Sequence, residues 1–230
     1  MTPRIYRYVV RCDSGSAPRP YGNVCSLSIC KPRVRKAASV GDWIIGVRSR
    51  APDKVVYVMQ VAESLPLGKY WQDARFRDRQ PDASPVPDNI YRPDGTGNLI
   101  QVPNVVHDAG NQTRDISGRN ALIGSRFWYF GASSPPLPTE LIHLVHDGVG
   151  HAVHKRRRPD DVKRLEQWLA TWPCGVHGRP INATPGVLAW LAEMETGERF
   201  PPTNGQVGRC HKASDLSPIA TTVPFPKRRC

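Results

Sequence analysis

The sequence predicts an α+β protein built on a small, curved or barrel-like, mostly antiparallel sheet, with helices gathered at its C-terminal end. Three observations predict it. Five or six short runs rich in β-branched and aromatic residues occur between residues 5 and 131. Few helical stretches separate them, and sustained helical spacing begins only after residue 141. No Gly-rich phosphate loop of either common type is present, which argues against ATP-driven and dinucleotide redox chemistry.

Residues 5–11 (IYRYVVR) read as a first strand, and residues 13–23 as a loop, because prolines, glycines and serines crowd it. A short strand over 24–29 follows. Pro32 stands where a first helical residue belongs, so 31–38 reads as a short helix. Residues 42–47 and 54–63 (KVVYVMQVAE) are two strands joined by a short charged turn, a β-hairpin. A helix starts near 67–73. Residues 74–120 carry many Asp, Arg, Asn, Pro and Gly with brief apolar patches, and read as a long insertion of the functional or mobile kind. Strand character returns over 121–131 (ALIGSRFWYFG). Val162, Leu165, Trp168, Leu169 and Trp172 then recur at helical spacing, capped by Asp160 or Asp161 and stopped by Pro173. A second helix runs over 185–196 between Thr184 and Gly197. The expected organisation is a domain over 1–140, a helical extension over 141–200 and a basic, poorly ordered tail over 201–230.

Lys and Arg number 32 against 20 Asp and Glu, a net charge of +12. The cations cluster at 31–36 and 154–158, so the expected partner is DNA, a nucleotide or another polyanion. No apolar run is long enough for a membrane span, and the first residues are broken by charge. The expected compartment is the cytoplasm, with reduced thiols. The six cysteines form no CxxC pair, and Cys25 and Cys30 read first as small packing residues.

The segment YVVRCDSGSAPRPYGNVCSLSICKPRVRKAASVGDWIIG resembles the opening of the nucleotide modification associated domain, second family. VVYVMQVAE, YWQDARF, DNIYRPDG, NVVHD and ALIGSRFWYFG extend the resemblance over residues 5–138, with a weaker echo at Cys174-Gly175. It implies a phage- or bacteria-type protein linked to DNA or nucleotide modification, company with other modification or defence proteins, and no settled catalytic role or cofactor. The hairpin GDWIIG-loop-VVYVMQVAE is also similar to the strand pair of PUA, ASCH and EVE modified-base readers, which implies a PUA-like fold and an aromatic base pocket.

Lys31, Arg33 and Arg35 are the candidate phosphate contacts, unless they form a solvated helix face; Lys155 and Arg156 would meet a nucleic-acid backbone. Trp43, Tyr57, Trp71, Trp128 and Tyr129 are candidates for stacking on a base, or are core. Trp128 and Tyr129 alternate in a strand, so one is expected in the core and the other is left for a pocket. His107 and Asp108, in a loop, form the candidate acid–base pair; Asp42 is a further candidate, or caps a turn. Asp88 and Asn89 read a base edge or make an Asx turn. His143, His146, His151 and His154 could supply imidazoles to a transition metal, with Cys174 and His177 joining, or form a histidine-rich linker. Two functions follow: a binding protein that recognises a modified base in an aromatic pocket, or a transferase or hydrolase acting on a nucleotide or DNA base with a His/Asp general base.

Overall fold

The computed structural model describes residues 3–144, 158 and 160–196, and the backbone of 151–153. Its centre is the expected hairpin. β1 (Ile5–Val10) runs parallel to β3 (Trp43–Arg48), with β2 (Cys25–Leu27) placed in a second sheet between them in the chain. β3 turns back antiparallel as β4 (Ala51–Gln60), pairing Ile44 with Met59 and Gly46 with Tyr57. That last pair requires glycine, because a Cβ at Gly46 would collide with the Tyr57 ring.

Further along, β5 (Glu63–Pro66), β6 (Tyr91–Pro93), β7 (Leu99–Gln101), β8 (Asn120–Gly124), β9 (Arg126–Tyr129), β10 (His151–Val153) and β11 (Gly175–Val176) complete three sheets. The largest has the order β10-β1-β3-β4-β9-β11; the others are β2-β8-β5 and β6-β7. The large sheet is open, with β10 and β11 at its edges, and mixed, so the expected barrel-like closure is not formed.

Both of its faces are covered, which is why its strands read as nearly continuous apolar runs. On one face Tyr6, Tyr8, Ile44, Tyr57, Met59 and Tyr129 pack against Cys25, Leu27, Leu122 and Val34 of the short helix α1 (Pro32–Ala37). On the other, Trp43, Ile45, Val58 and Trp128 pack against Leu165 and Leu169 of helix α4 (Asp161–Leu169). The expected alternation of Trp128 and Tyr129 is present, but neither side is left open: they are 3% and 0% exposed. Helix α5 (Pro185–Thr196) adds Val187, Trp190 and Leu191 around Tyr21. Among the described residues no helix is long and apolar enough to cross a membrane.

Residues 74–120 are largely folded rather than one long loop. Helix α2 (Leu67–Gln72) leads into a 3-10 segment, Ala74–Arg79, and β6, β7 and helix α3 (Gln112–Ile116) follow. Phe76, Ile90, Tyr91 and Val106 bury themselves with Val24 and Ile29. Several of the polar residues between them are hydrogen-bonded internally, although Arg79 Nε finds no partner among the described residues. Asp88 accepts hydrogen bonds from Ser26, Ser28 and Tyr70, and Arg79 donates to the carbonyls of Tyr21 and Val24 at 2.8 and 2.9 Å. Asn89 likewise donates to Tyr70 and Phe76 carbonyls. A buried polar group with such partners costs little, whereas an unmet one costs about 1–3 kcal/mol.

Candidate active site

Beyond β2 the chain makes an unusual turn. Cys30 (φ 57) and Lys31 (φ 44) are consecutive non-glycine residues in the left-handed region, each costing about 1–3 kcal/mol. Several bonds hold them there. Cys30 N–H donates to Asp115 Oδ1 at 3.0 Å, and the Cys30 carbonyl accepts from Arg35 Nε at 2.7 Å. The Lys31 carbonyl accepts from the amides of Val34 and Arg35. Arg35 is fully buried and also donates to the carbonyls of Asn120 and Asp115. Its guanidinium therefore braces the turn.

The turn brings Cys30 Sγ to 3.3 Å from His107 Nε2. His107 stands in the loop between β7 and α3, where Asn104 Oδ1 accepts from the amides of Val106 and His107 and Gln101 donates to the His107 carbonyl. The other ring nitrogen, Nδ1, is 2.6 Å from Asp115 Oδ2, which also accepts from Tyr91 OH at 3.1 Å. A thiol, an imidazole and a buried carboxylate are thus connected in a row, the arrangement by which a base is oriented and a nucleophile activated.

Burial pulls the His107 pKa down, but the hydrogen bonds and charges of Asp115 and Cys30 overcome it and push it up to about 10. Burial raises Asp115 in turn, and the His107 hydrogen bond and charge, with Arg35, hold it below its usual range.

The row opens on a cavity of about 720 Å³, a size that suits a small organic ligand. Arg11, Lys31, Arg33 and Arg114 line it, and among the described lining residues none is acidic. Lys31 Nζ donates to the Val9 carbonyl at 2.8 Å and lies 4.8 Å from the centre of the Tyr8 ring. Burial lowers its pKa; Cys30 opposes the shift, and Arg11 and Arg114 add to it. The loop at 12–16 alternates. Cys12, Ser14 and Ser16 line the cavity, while Asp13 turns away to accept from Tyr129 OH and the Ile181 amide. Burial pushes the Asp13 carboxyl up.

Of the expected site residues that are described, the structure brings His107, Lys31 and Arg33 to the cavity; Arg35, expected to hold phosphate, is instead buried as the brace of the turn, and the rest of the described ones lie elsewhere. Asp108 is exposed and accepts from Asn111 at 2.8 Å, so the carboxylate against His107 is Asp115, eight residues on. Asp42 accepts from Arg4 and the Ser39 amide, a turn-capping position. Trp43 stacks on Trp128 at 6.3 Å with the Arg126 guanidinium over both rings, and Tyr57 bonds Tyr8 OH to OH at 2.9 Å. Neither tryptophan, nor Tyr57 or Tyr129, lines the cavity; Tyr8 does.

His143 pairs with Asp161 at 2.9 Å, and His177 bonds the Pro173 carbonyl. His146, His154, the His151 side chain, Lys155 and Arg156 lie outside the described residues, among which no three metal-ligating side chains cluster. Cys174 is disulfide-bonded, unlike the reduced state expected, whereas Cys25 and Cys30 are free thiols. Sequence reasoning missed Cys30 and Asp115. The available signal was a cysteine two residues before a proline-initiated helix in a chain that also offered a loop histidine.

The fold and cavity define an α+β protein with a thiol–imidazole–carboxylate relay facing a cationic, ligand-sized space. The chain belongs to the nucleotide modification associated domain 2 family, whose profile matches residues 2–186. That span includes Cys30, His107 and Asp115 and extends beyond the resemblance read over 5–138. No curated protein and no solved structure matches the chain.

Proposed function

We propose that this protein is an enzyme that uses Cys30 as a nucleophile on a nucleotide, free or within nucleic acid. The observation that carries the reading is the Cys30–His107–Asp115 row at the wall of a cavity with four cations and no acidic residue among its described lining. A thiolate is the reactive form of cysteine, and an imidazole in hydrogen-bond reach takes the thiol proton away and later returns it. Asp115 is the positioning residue: it fixes the proton on Nδ1 and aims Nε2 at sulfur. The four cations would meet phosphate, with Arg offering two-pronged contacts.

This favours the enzyme over a base reader that only binds. A reader would need exposed aromatic faces for stacking, and Trp43, Tyr57 and Tyr129 are enclosed in the core. The test is iodoacetamide alkylation of the full chain, followed at Cys30 by peptide mass spectrometry, with and without nucleoside monophosphates. The reading expects Cys30 to be the fastest-labelled thiol, nucleotides to protect it, and His107→Gln to slow labelling about 100-fold or more. If nucleotides bind but Cys30 labels no faster than the other thiols and His107→Gln leaves its labelling rate unchanged, the protein is a reader and the enzyme reading falls.

A further inference from the structure

We infer that the cavity takes a pyrimidine nucleotide and that Cys30 adds to carbon 6 of the pyrimidine ring, with Ser16 and Lys31 facing the ring's polar edge. This rests on the reading of Cys30 as the nucleophile. A nucleotide offers a nucleophile phosphorus, the sugar carbon at the glycosidic bond, the amino-bearing ring carbons (C4 of cytosine, C6 of adenine) and C6 of a pyrimidine, which is conjugated to a ring carbonyl or its imine equivalent. Sulfur is soft and polarizable, and of these the conjugated C6 suits it best. Purines have no such conjugate-addition carbon.

Acyl transfer, the other common work of a thiol–imidazole–carboxylate row, needs backbone amides aimed at an oxyanion beside the nucleophile. Here the Cys30 amide is engaged with Asp115 Oδ1 at 3.0 Å and Pro32, two residues on, has no N–H to offer, which leaves the Lys31 amide in place of the usual pair of donors. Ring addition makes a different demand. Its negative charge develops on the ring's polar edge, away from sulfur, so the donors must come from other residues of the cavity lining. Ser16 is one such donor. It lines the cavity, is 1% exposed, and its Oγ finds no hydrogen-bond partner among the described residues. A buried hydroxyl without a partner costs stability unless a ligand satisfies it. Lys31 lines the same space, with one of its three N–H donors spent on the Val9 carbonyl.

The step balances without a co-reactant. With the thiol proton already resident on His107 Nε2, the sulfur pair forms the C6–S bond, and the C5–C6 π pair moves onto O4 of uracil or N3 of cytosine. A solvent proton then adds at C5. In reversal a proton leaves C5, the double bond re-forms and sulfur departs with the pair that bound it. One cycle exchanges the C5 hydrogen with solvent and leaves the nucleotide otherwise unchanged.

The experiment incubates the full chain in D2O with dUMP, dCMP, dTMP or dAMP, and in parallel with short single-stranded DNA carrying uracil or cytosine. The C5 proton is followed by NMR. Loss of the C5–H signal is expected with uracil or cytosine, from the free nucleotide or the strand according to the natural source. It should slow about 100-fold or more in Cys30→Ser and His107→Gln, and need a higher nucleotide concentration in Ser16→Ala. Iodoacetamide labelling of Cys30 is measured on the same samples. If nucleotides protect Cys30 yet no C5–H exchanges, or dAMP protects as well as dUMP and dCMP, the pyrimidine inference is overturned and the nucleophile reading stands. If Cys30 labels no faster than Cys12 and no nucleotide protects it, both fall.

Discussion

His107 Nδ1 stands 2.6 Å from Asp115 Oδ2, and Asp115 spends its other oxygen on the Cys30 amide. One buried carboxylate therefore fixes both the ring that faces the sulfur and the backbone that carries it. Replacing it with the isosteric Asn removes the charge and offers an amide in its place. In Asp115→Asn the His107 pKa, followed by NMR of the ring protons, should fall from about 10 toward its ordinary 6.5. Cys30 labelling should slow about 100-fold. A structural role alone would not move the His107 titration; an unmoved titration would remove Asp115 from the relay.

The same raised pKa sets a pH dependence of stability. Below pH 6.5 the folded and unfolded chains both carry the His107 proton, and the full contribution is present. As pH rises from 6.5 toward 10 the unfolded chain releases its proton first while the folded chain keeps it, so stability from this group is lost across that window. Thermal unfolding at pH 6.5 and pH 9 should show a larger loss in the wild type than in His107→Gln. Equal losses in the two proteins would count against a raised His107.

Arg33 and Arg114 line the cavity while largely exposed, so solvent screens them. Each should contribute roughly 0.2–1 kcal/mol to holding a phosphate, a factor of about 1.4–5 in affinity. Anisotropy with a labelled nucleoside monophosphate should show weaker binding in Arg33→Gln and Arg114→Gln, with a shallower salt dependence in the double variant. Unchanged affinity and salt slope would place phosphate elsewhere.

How much of this was legible follows from where each piece stores its information. The hairpin of β3 and β4, the start of α1 at Pro32 and the spacing of Leu165, Trp168 and Leu169 are local patterns, and each forms where the sequence expects it. The folded state of residues 74–120 is not local. Asp88, Arg79 and Asp115 look like surface residues in sequence and are buried because Ser26, Val24 and Cys30 arrive from far along the chain. The same holds for the site. His107 reads naturally with its neighbour Asp108, yet α3 carries Asp115 under the ring, and Cys30 lies 77 residues away from the histidine it touches. Trp128 and Tyr129 misled for a related reason: alternation separates two faces but does not say that both will be covered.

That covering makes a last test of the aromatic residues. Trp43 and Tyr8 emerge from opposite faces of the large sheet, and only the Tyr8 face borders the cavity. Trp43 is fully buried between Trp128, Leu165 and their neighbours, so Trp43→Ala should cost about 3–5 kcal/mol through the void it leaves. The unfolding midpoint should drop accordingly, while the folded fraction keeps nucleotide protection of Cys30, because the cavity wall is built from the other face. The opposite pattern, an unchanged midpoint with lost preference for one base, would mean that Trp43 serves a ligand, and it would restore the aromatic base pocket that the sequence suggested.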